Sequence, residues 1–429
     1  MYRFMLMATL VFAGEIIFGL PFHTARFFRP TLLEAFEFTN TQLGDVFAVY
    51  GVTAMIAYFP GGMLADRFSA RGLLTGSLIT TGMGGFYMAT YPGTLGMAVL
   101  YGYWGVTTIL LFWAALIRAT REWGGATSQG RAFGILDGGR GIVAALFATL
   151  AISVLAGFLP EDAALANNEE RRGAFRAVIL LYSFAAIGAA LLIWILMPPA
   201  KHTGDSSQSL FHGAAVVLTR PLVWAQAAVI VCAYCAYKGL DNFSLYAVQV
   251  LGMNEVEGAQ LSAYGAYIRP VAAVAAGLLA DRWSAGKTIG ASFIVLLFSY
   301  AMLSFALPDG PGLALIYANI FVSFFAVFAL RGVYFALLEE NKTPAYFTGA
   351  ATGMVSFVGY TPEIFFAPIT GRILDAAPGI VGHQNYFLFL TGVAAIGIVV
   401  VAGLLRLQQS RSSSEWPSHP ALDAKPTTK

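Results

Sequence analysis

The sequence predicts an all-α membrane protein, with twelve transmembrane helices arranged as two pseudo-symmetric six-helix bundles. Three observations lead to this prediction. The 429-residue chain is 58% hydrophobic and only 11% charged, whereas soluble domains carry about 25% charged residues. Apolar runs long enough to cross a bilayer recur along the chain, and one short polar motif occurs twice, half a chain apart. Lipid must therefore be the solvent for most of this protein.

A transmembrane helix needs about 20 predominantly apolar residues, and this criterion predicts the spans in order. The first six lie at 4–22, 43–65, 72–91, 94–118, 132–158 and 175–198. The second six lie at 221–250, 257–280, 287–307, 312–338, 346–374 and 384–407. Span 1 contains Glu15 and lacks a small-residue cleavage site, so we expect a retained helix and not a signal peptide.

Polar segments divide the chain into domains. Residues 199–220 form the only long polar interval between spans and predict a cytoplasmic linker between an N-terminal bundle, 1–198, and a C-terminal bundle, 221–407. Residues 408–429 are rich in Ser, Pro and Lys and predict a disordered cytoplasmic tail. With both termini inside, fifteen Lys and Arg lie in cytoplasmic segments and six in outer ones. This asymmetry predicts a bacterial-type inner-membrane protein with both termini in the cytoplasm.

The repeated motif follows spans 2 and 8. It reads Gly62-x-x-x-Asp66-Arg67-x-x-x-Arg71 in the first copy and Gly277-x-x-x-Asp281-Arg282 in the second. These residues resemble the signature of the major facilitator superfamily, and the likeness covers residues 4–407. The first copy departs from the family pattern at Ser69, where Gly is usual, and at Ala70, where a base is common.

The resemblance implies a transporter whose two bundles rock about a central site, which opens alternately to each side of the membrane. Spans 1, 4, 7 and 10 would line the cavity, and spans 2, 5, 8 and 11 would form the gates. The segments "YKGLDNF" in span 7 and "GAATGMVSFVGYTPEIFFAPITG" in span 11 resemble those of organic-anion and organophosphate–anion symporters. The gating residues expected on this basis are Gly62, Asp66, Arg67, Arg71, Arg118, Arg140, Gly277, Asp281, Arg282 and Arg331.

Eight ionisable residues lie inside predicted spans, where charge is costly and is usually functional. They are Glu15, Asp137, Arg140, Lys238, Asp241, Arg269, Arg331 and Glu363. The pairs Asp137/Arg140 and Lys238/Asp241 have i,i+3 spacing, so each pair can also be locally neutralised with only a packing role. Arg331, near the end of span 10, can alternatively extend its side chain to the cytoplasm.

Arg269 has no acidic residue within one helical turn, so it requires either a substrate anion or an acid from another helix. We expect Arg269 and Lys238 to bind an anionic group. The other expected substrate contacts are Asp241, Asn242, Tyr237, Tyr267 and Tyr360. Arg26, which follows His23 at the outer end of span 1, is predicted to anchor the membrane edge rather than to serve as a vestibule charge.

Glu15 and Glu363 have no base on the same helical turn, and they are the expected proton carriers together with Asp137. Burial makes it easier for a carboxyl group to hold a proton, so such a group can load and release one as access alternates. The alternative is a buried, neutral glutamic acid that only donates a hydrogen bond.

These features predict a secondary active transporter of a small organic anion, driven by proton symport and monomeric. The sequence has no G-x-x-x-x-G-K-[ST] motif that would indicate nucleotide hydrolysis. The five histidines are scattered, and Cys232 and Cys235 are predicted to be small packing residues. We therefore expect no cofactor, no metal and no nucleic-acid partner. An exporter of amphipathic compounds or lipids by proton antiport is the main alternative. A membrane enzyme is disfavoured because no nucleophile–base cluster occurs, and a transporter-like receptor is the remaining possibility.

Overall fold

The computed structural model of this protein describes residues 1–125, 128–160, 163–199, 217–308, 312–341, 343 and 345–410. This described part of the chain is helical and contains no strand. Most of the predicted linker and the tail from residue 411 lie outside it, so both of those expectations stay predictions.

Helices occur at the positions of all the predicted spans and are named α1–α12, with interrupted helices counted together. The N-terminal half comprises α1 (Tyr2–Ile16, Gly19–His23 and Thr24–Phe27), α2 (Asn40–Arg67), α3 (Ala70–Met88), α4 (Thr94–Gly105, Val106–Trp113 and Ala114–Gly124), α5 (Gln129–Phe158) and α6 (Asn168–Leu196). The C-terminal half comprises α7 (Pro221–Gly239, Leu240–Asn242 and Phe243–Gln249), α8 (Glu255–Arg282), α9 (Ala285–Phe305), α10 (Gly312–Val333), α11 (Ala345–Gly359 and Pro362–Ala376) and α12 (Ile380–Gln409). The short helices Arg29–Phe36, Ala163–Leu165 and Leu337–Glu340 lie between these segments.

Eight of these helices are long and apolar enough to cross a membrane, or nine if the bent α1 is counted as one span, within the described residues. The helices that do not meet this criterion are α2, α3 and α11. α2 and α3 are rich in Gly and Thr, and α11 is interrupted after Gly359. The all-α membrane fold is confirmed, whereas the number of twelve crossings stays a prediction.

Side-chain caps explain where several helices begin. Capping boxes that combine Thr39 with Gln42 and Asn254 with Glu257 start α2 and α8, which occupy equivalent positions in the two halves. The serine shared by both copies of the repeated motif starts the following helix. Ser69 accepts a hydrogen bond from the N–H of Gly72, and Ser284 accepts one from the N–H of Lys287. The serine that departs from the usual signature therefore has a local structural role.

Breaks in helical geometry interrupt α1, α7 and α11, and a π-helical stretch over Val106–Trp113 interrupts α4. The axis of α1 bends by 41° at residues 17–18, just before a π-helical turn over Gly19–His23. In α7 the helix tightens to 3₁₀ over Leu240–Asn242, and α11 is broken between Gly359 and Pro362. Such breaks change the direction of side chains relative to a straight helix. They place the charged residues described below.

The two halves contact each other closely through α2 and α11. A Cβ atom added at Gly44 would lie 2.4 Å from the carbonyl oxygen of Ala367, and one at Gly371 would lie 2.4 Å from that of Asn40. Only glycine allows two helix backbones to approach so closely. α5 and α8 form the second contact between the halves, where Gly141 leaves room for the Arg269 side chain.

The contact between the halves is closed at one end of the molecule. The Asp375 carboxylate accepts hydrogen bonds from the backbone N–H groups of Asn40, at 3.1 Å, and Thr41, at 2.7 Å, and so caps α2 from the other half. Arg372 binds both carboxylate oxygens of Asp45, at 2.8 and 3.2 Å.

The repeated motif lies at the other end of the molecule. There Gly62 and Gly277 have no described atom within 4 Å of an added Cβ, and Arg67, Asp281 and Arg282 are exposed. With the predicted orientation, the closed end faces outward and the motif end faces the cytoplasm.

A charged cavity between the two halves

A cavity of about 120 Å³ lies between the halves. Because one water molecule needs roughly 10–15 Å³ by the same measure, this volume holds about ten waters or a small metabolite. Its wall is formed by α1, α2, α4, α5, α7, α10 and α11, which include the four helices that the family resemblance implies. The aromatic residues of the wall are Phe18, Phe22, Tyr50, Tyr58, Trp113, Tyr234, Tyr237 and Tyr360.

The first charge cluster belongs to the N-terminal half. Glu15 is buried; its Oε1 lies 3.1 Å from Nε2 of His23, and its Oε2 accepts a hydrogen bond from Nε of Arg140 at 2.9 Å. Glu15 has no base on its own helical turn, as the sequence indicates, but a neighbouring helix and the bent part of α1 supply two partners. The prediction of a local pair Asp137/Arg140 was wrong, since each residue bonds to a different helix.

The second cluster links the halves. Nε of Arg26 donates to Oδ1 of Asp241 at 2.5 Å, and another Arg26 nitrogen donates to the Tyr237 hydroxyl at 2.7 Å. Nζ of Lys238 lies 3.0 Å from Oδ2 of Asp241 and 3.3 Å from Oε2 of Glu363. The prediction of Arg26 as a membrane-edge anchor was wrong, because α1 turns inward after its bend and carries Arg26 into the interface.

Glu363 is also hydrogen-bonded to the Tyr234 hydroxyl. It therefore has two polar partners on α7, Lys238 and Tyr234, although neither lies near it in the sequence. Lys238 in turn lies over the rings of Phe22, at 4.6 Å, and Phe47, at 4.8 Å, which belong to the other half. A buried ammonium gains from both kinds of contact.

Arg269 has an acid from another helix, which is one of the two arrangements its sequence context required. Nη2 of Arg269 donates to Oδ1 of Asp137 at 2.8 Å, and this pair joins α8 to α5. The Arg269 side chain is 10% exposed and that of Asp137 is 56% exposed. The pair therefore adds a charged link to the α5–α8 contact between the halves.

Arg331 differs from the other bases of the cavity. Its guanidinium lies 3.8 Å from the centre of the Tyr237 ring and forms part of the cavity wall. Among the described residues no carboxylate oxygen lies within 4 Å of it, whereas Arg26, Arg140 and Lys238 each have one. The alternative in which Arg331 extends to the cytoplasm was wrong, because the side chain stacks on an aromatic ring at the centre of the molecule.

The remaining predicted contacts lie at different places. Tyr237 and Tyr360 belong to the cavity wall. Asn242 is buried next to Asp241 but does not belong to the described wall. Tyr267 is 40% exposed, and its hydroxyl lies 2.9 Å from that of Thr149, so it lies at the α5–α8 contact and not in the cavity.

The predicted gating bases are placed only in part. Arg118 donates to the carbonyl of Ala65 at 2.6 Å, and this bond links α4 to the end of α2. Arg118 also pairs with Glu122 on its own helix. The Arg71 guanidinium lies 4.0 Å from the Trp194 ring. The side chain of Asp66 lies outside the described residues. A gating role for these residues stays a prediction.

Two functional residues that the sequence analysis did not place in the site, His23 and Arg26, can be found from the 215-residue offset between the two motif copies. Moving 215 positions from Lys238 and Asp241, in the same way as from the second motif to the first, leads to His23 and Arg26. The Arg26–Asp241 ion pair therefore joins equivalent positions of the two halves. Helical spacing alone does not reveal such a pair, because the partners lie 215 residues apart.

An all-α fold of two six-helix halves with a charged cavity between them defines a membrane transporter and not an enzyme. The chain matches the model of the Major Facilitator Superfamily over residues 5–367 and belongs to that superfamily.

Three relatives of the chain are proteins of Escherichia coli K12. Inner membrane protein YqcE is 26% identical, covering 97% of both chains, and inner membrane protein YihN is 28% identical, covering 94% of this chain and 96% of the relative. The 3-(3-hydroxy-phenyl)propionate transporter is 27% identical over 45% of this chain and 52% of its own length.

Two kinds of solved structure share the fold. The nucleoside transporter NupG superposes with a TM-score of 0.71 at 12% identity, over 96% of this chain and 100% of its own. A bacterial homologue of the human lysosomal transporter Spinster, in an inward-facing and occupied conformation, gives a TM-score of 0.68 at 15% identity, over 96% and 98%.

Proposed function

We propose that this transporter carries a small organic anion by proton symport, and that Arg331 binds the anionic group. The observation that supports this proposal is the charge balance of the cavity. Arg26, Arg140 and Lys238 each have a carboxylate partner, whereas Arg331 has none among the described residues. A guanidinium at the centre of a membrane-spanning bundle is costly without an opposite charge. A bound anion supplies that charge.

The chemistry of Arg331 fits a carboxylate or a similar oxyanion. A guanidinium presents parallel N–H groups that bind two oxygens of one anion at the same time. The guanidinium lies against the Tyr237 ring, so the planar group is held in place before the ligand arrives. Arg269 and Lys238, which the sequence suggested for this role, are each neutralised by a carboxylate. Lys238 belongs to the cavity wall and is proposed as an additional contact of the anion, whereas Arg269 does not line this cavity.

The rest of the wall favours a substrate with a ring. Aromatic side chains from both halves face the cavity, and tyrosine hydroxyls add hydrogen-bonding groups. The volume suits a molecule with about ten heavy atoms better than a lipid. The relative named as a 3-(3-hydroxy-phenyl)propionate transporter supports an aromatic carboxylate as the first class to test.

A ligand panel tests this proposal. The purified protein in nanodiscs is titrated with 3-phenylpropionate and other aryl and alkyl monocarboxylates, and with the neutral amide of each. We expect binding of carboxylates and not of amides. Arg331→Gln should weaken the binding about tenfold to hundredfold, the range of a hydrogen bond to a charged group. Arg176→Gln is the matched control, because Arg176 lies outside the cavity and bonds the carbonyl of Ala89.

Uptake into proteoliposomes tests the coupling. We expect a pH gradient, acidic outside, to drive accumulation of the carboxylate that binds, and a protonophore to abolish it. Equal binding of amides and carboxylates, or binding of neither, would overturn the proposal that the substrate is an organic anion. Accumulation that ignores the pH gradient would overturn proton symport.

A further inference from the structure

A second and smaller cavity lies between the halves, with a volume of about 20 Å³. It has room for one or two water molecules. Glu15, His23 and Arg26 of α1 line this cavity and the larger one, so they stand between the two. On its far side are Ser262 and Arg269 of α8.

Two polar atoms beside this cavity have no hydrogen-bond partner among the described residues. They are Nδ1 of His23 and Oγ of Ser262, in residues that are 4% and 1% exposed. Buried polar atoms are normally hydrogen-bonded, and ordered water is the usual partner where protein atoms supply none. The geometry therefore favours water in the small cavity, in contact with both atoms.

The hydrogen bonds of Glu15 determine which nitrogen of His23 carries a proton. The Glu15 carboxylate accepts from Arg140 on one oxygen and faces Nε2 of His23 on the other. An ionised carboxylate only accepts, so Nε2 is the protonated nitrogen and Nδ1 is bare. The bare Nδ1 is therefore the atom of His23 to which a further proton can be added.

The charges of the small cavity balance before His23 is protonated. Lys238, Glu363 and Arg331 line the larger cavity and not the small one, and Tyr182 of α6 packs edge-on against His23. The charged residues that line the small cavity are Glu15, Arg26 and Arg269, and their ion-pair partners are Arg140, Asp241 and Asp137. The three acids and three bases of this group form three ion pairs. One added proton therefore creates one net positive charge at the interface of the halves.

We propose that the Glu15–His23 pair is the proton-binding site of this transporter, and that water in the small cavity delivers the proton. This inference rests on the proposed proton symport and specifies its site. A hydrated proton transfers to Nδ1 of His23 and leaves a water molecule behind. The resulting imidazolium donates to Glu15 through Nε2 and to water through Nδ1, and it returns the proton to water when the halves have moved. His23 lies one helical turn from Arg26, whose ion pair with Asp241 joins the halves.

Proton binding can be measured without any substrate. The protein is reconstituted in liposomes on a solid-supported membrane, and the charge displaced by a jump from about pH 7.5 to 6 is recorded, a range in which histidine titrates. We expect a displacement in the unmodified protein, and its loss in both His23→Gln and Glu15→Gln. The matched control is His383→Gln. His383 is equally buried, bonds Gln249 through Nε2 and has an unpartnered Nδ1 among the described residues, but it lines neither cavity.

The possible results separate the inference from the proposed symport. No displacement in the unmodified protein overturns proton symport itself. A normal charge displacement in a folded His23→Gln variant overturns the inference. If the displacement is then lost in Glu363→Gln, the proton-binding site lies in the C-terminal half. If the His23 and Glu15 variants do not fold, Ser262→Val decides, because it fills the small cavity without removing an ion-pairing group. Unslowed displacement in Ser262→Val overturns the water route.

Discussion

At the scale of single residues, the stability of the cavity depends on which cationic side chain pairs with which carboxylate. Arg26, Asp241, Lys238 and Glu363 form a continuous chain of contacts in that order, in which Asp241 binds two cations at once. Asp241 is 6% exposed, so its partners have no bulk water to replace it. The Asp45–Arg372 pair has similar geometry but is about half exposed on both sides. Exposed pairs contribute much less to stability than buried ones cost when broken.

We therefore predict that Asp241→Asn lowers the free energy of unfolding by about 3–5 kcal/mol, the usual effect of removing one partner of a buried ion pair. The same substitution at Asp45 should have little effect. Melting in detergent, followed by intrinsic fluorescence, compares the two variants. Equal destabilisation by both substitutions would show that burial of the Asp241 network has no energetic importance.

At the scale of helices, small residues and breaks determine how closely the halves approach. Gly44, Gly51 and Gly371 bring the backbones of α2 and α11 into contact. The breaks in α1, α7 and α11 then direct charged side chains into the space that remains. The π-helical turn of α1 carries His23, and the 3₁₀ turn of α7 carries Asp241.

Gly44→Ala should separate α2 from α11, because its Cβ would meet the backbone of Ala367 at 2.4 Å, where no flexible side chain can move aside. We expect a lower melting temperature and a longer distance between spin labels placed on the closed ends of α2 and α11. Gly76→Ala in α3 is the control, since no described atom lies within 4 Å of its added Cβ and Ala favours a helix. An unchanged label distance in Gly44→Ala would contradict the close-packing argument.

At the scale of the whole molecule, the contacts that join the halves lie at one end and at the centre. The end that carries Gly62 and Gly277 has open space at both positions. Alternating access then requires that the closed end opens when the motif end closes. The Asp375 cap on α2 is suited to control this equilibrium, because it is a charge-assisted contact that forms only when the halves meet.

Asp375→Asn should shift the population towards molecules whose motif end is closed. Spin labels at Met63 and Val274, which are exposed near that end, report this as a shorter distance in pulsed electron paramagnetic resonance. Cys232 and Cys235 are buried and compete little for the label. An identical distance distribution in Asp375→Asn and the unmodified protein would exclude the cap as a control point.

The amino-acid sequence by itself determined the membrane class, the positions of the helices, the repeat and the set of charges placed inside the bilayer. These properties depend on hydropathy and on spacing within one helix, which are local. Even Ser69 and Ser284 follow this rule, because each caps the helix that it precedes.

Lys238 and Asp241 meet at the i,i+3 spacing that the sequence indicated, but only the tertiary structure decided how the other charges pair. Glu15 meets Arg140 over 125 residues, and Asp137 meets Arg269 over 132. Helical periodicity suggested Asp137 with Arg140 instead, since it considers neighbours on one helix face. In a low-dielectric interior each charge takes the nearest opposite charge that packing provides, and packing depends on where helices bend and which glycines let them touch. For the same physical reason Arg331, which the sequence did not distinguish from a membrane-edge base, is the cavity base without a carboxylate partner among the described residues.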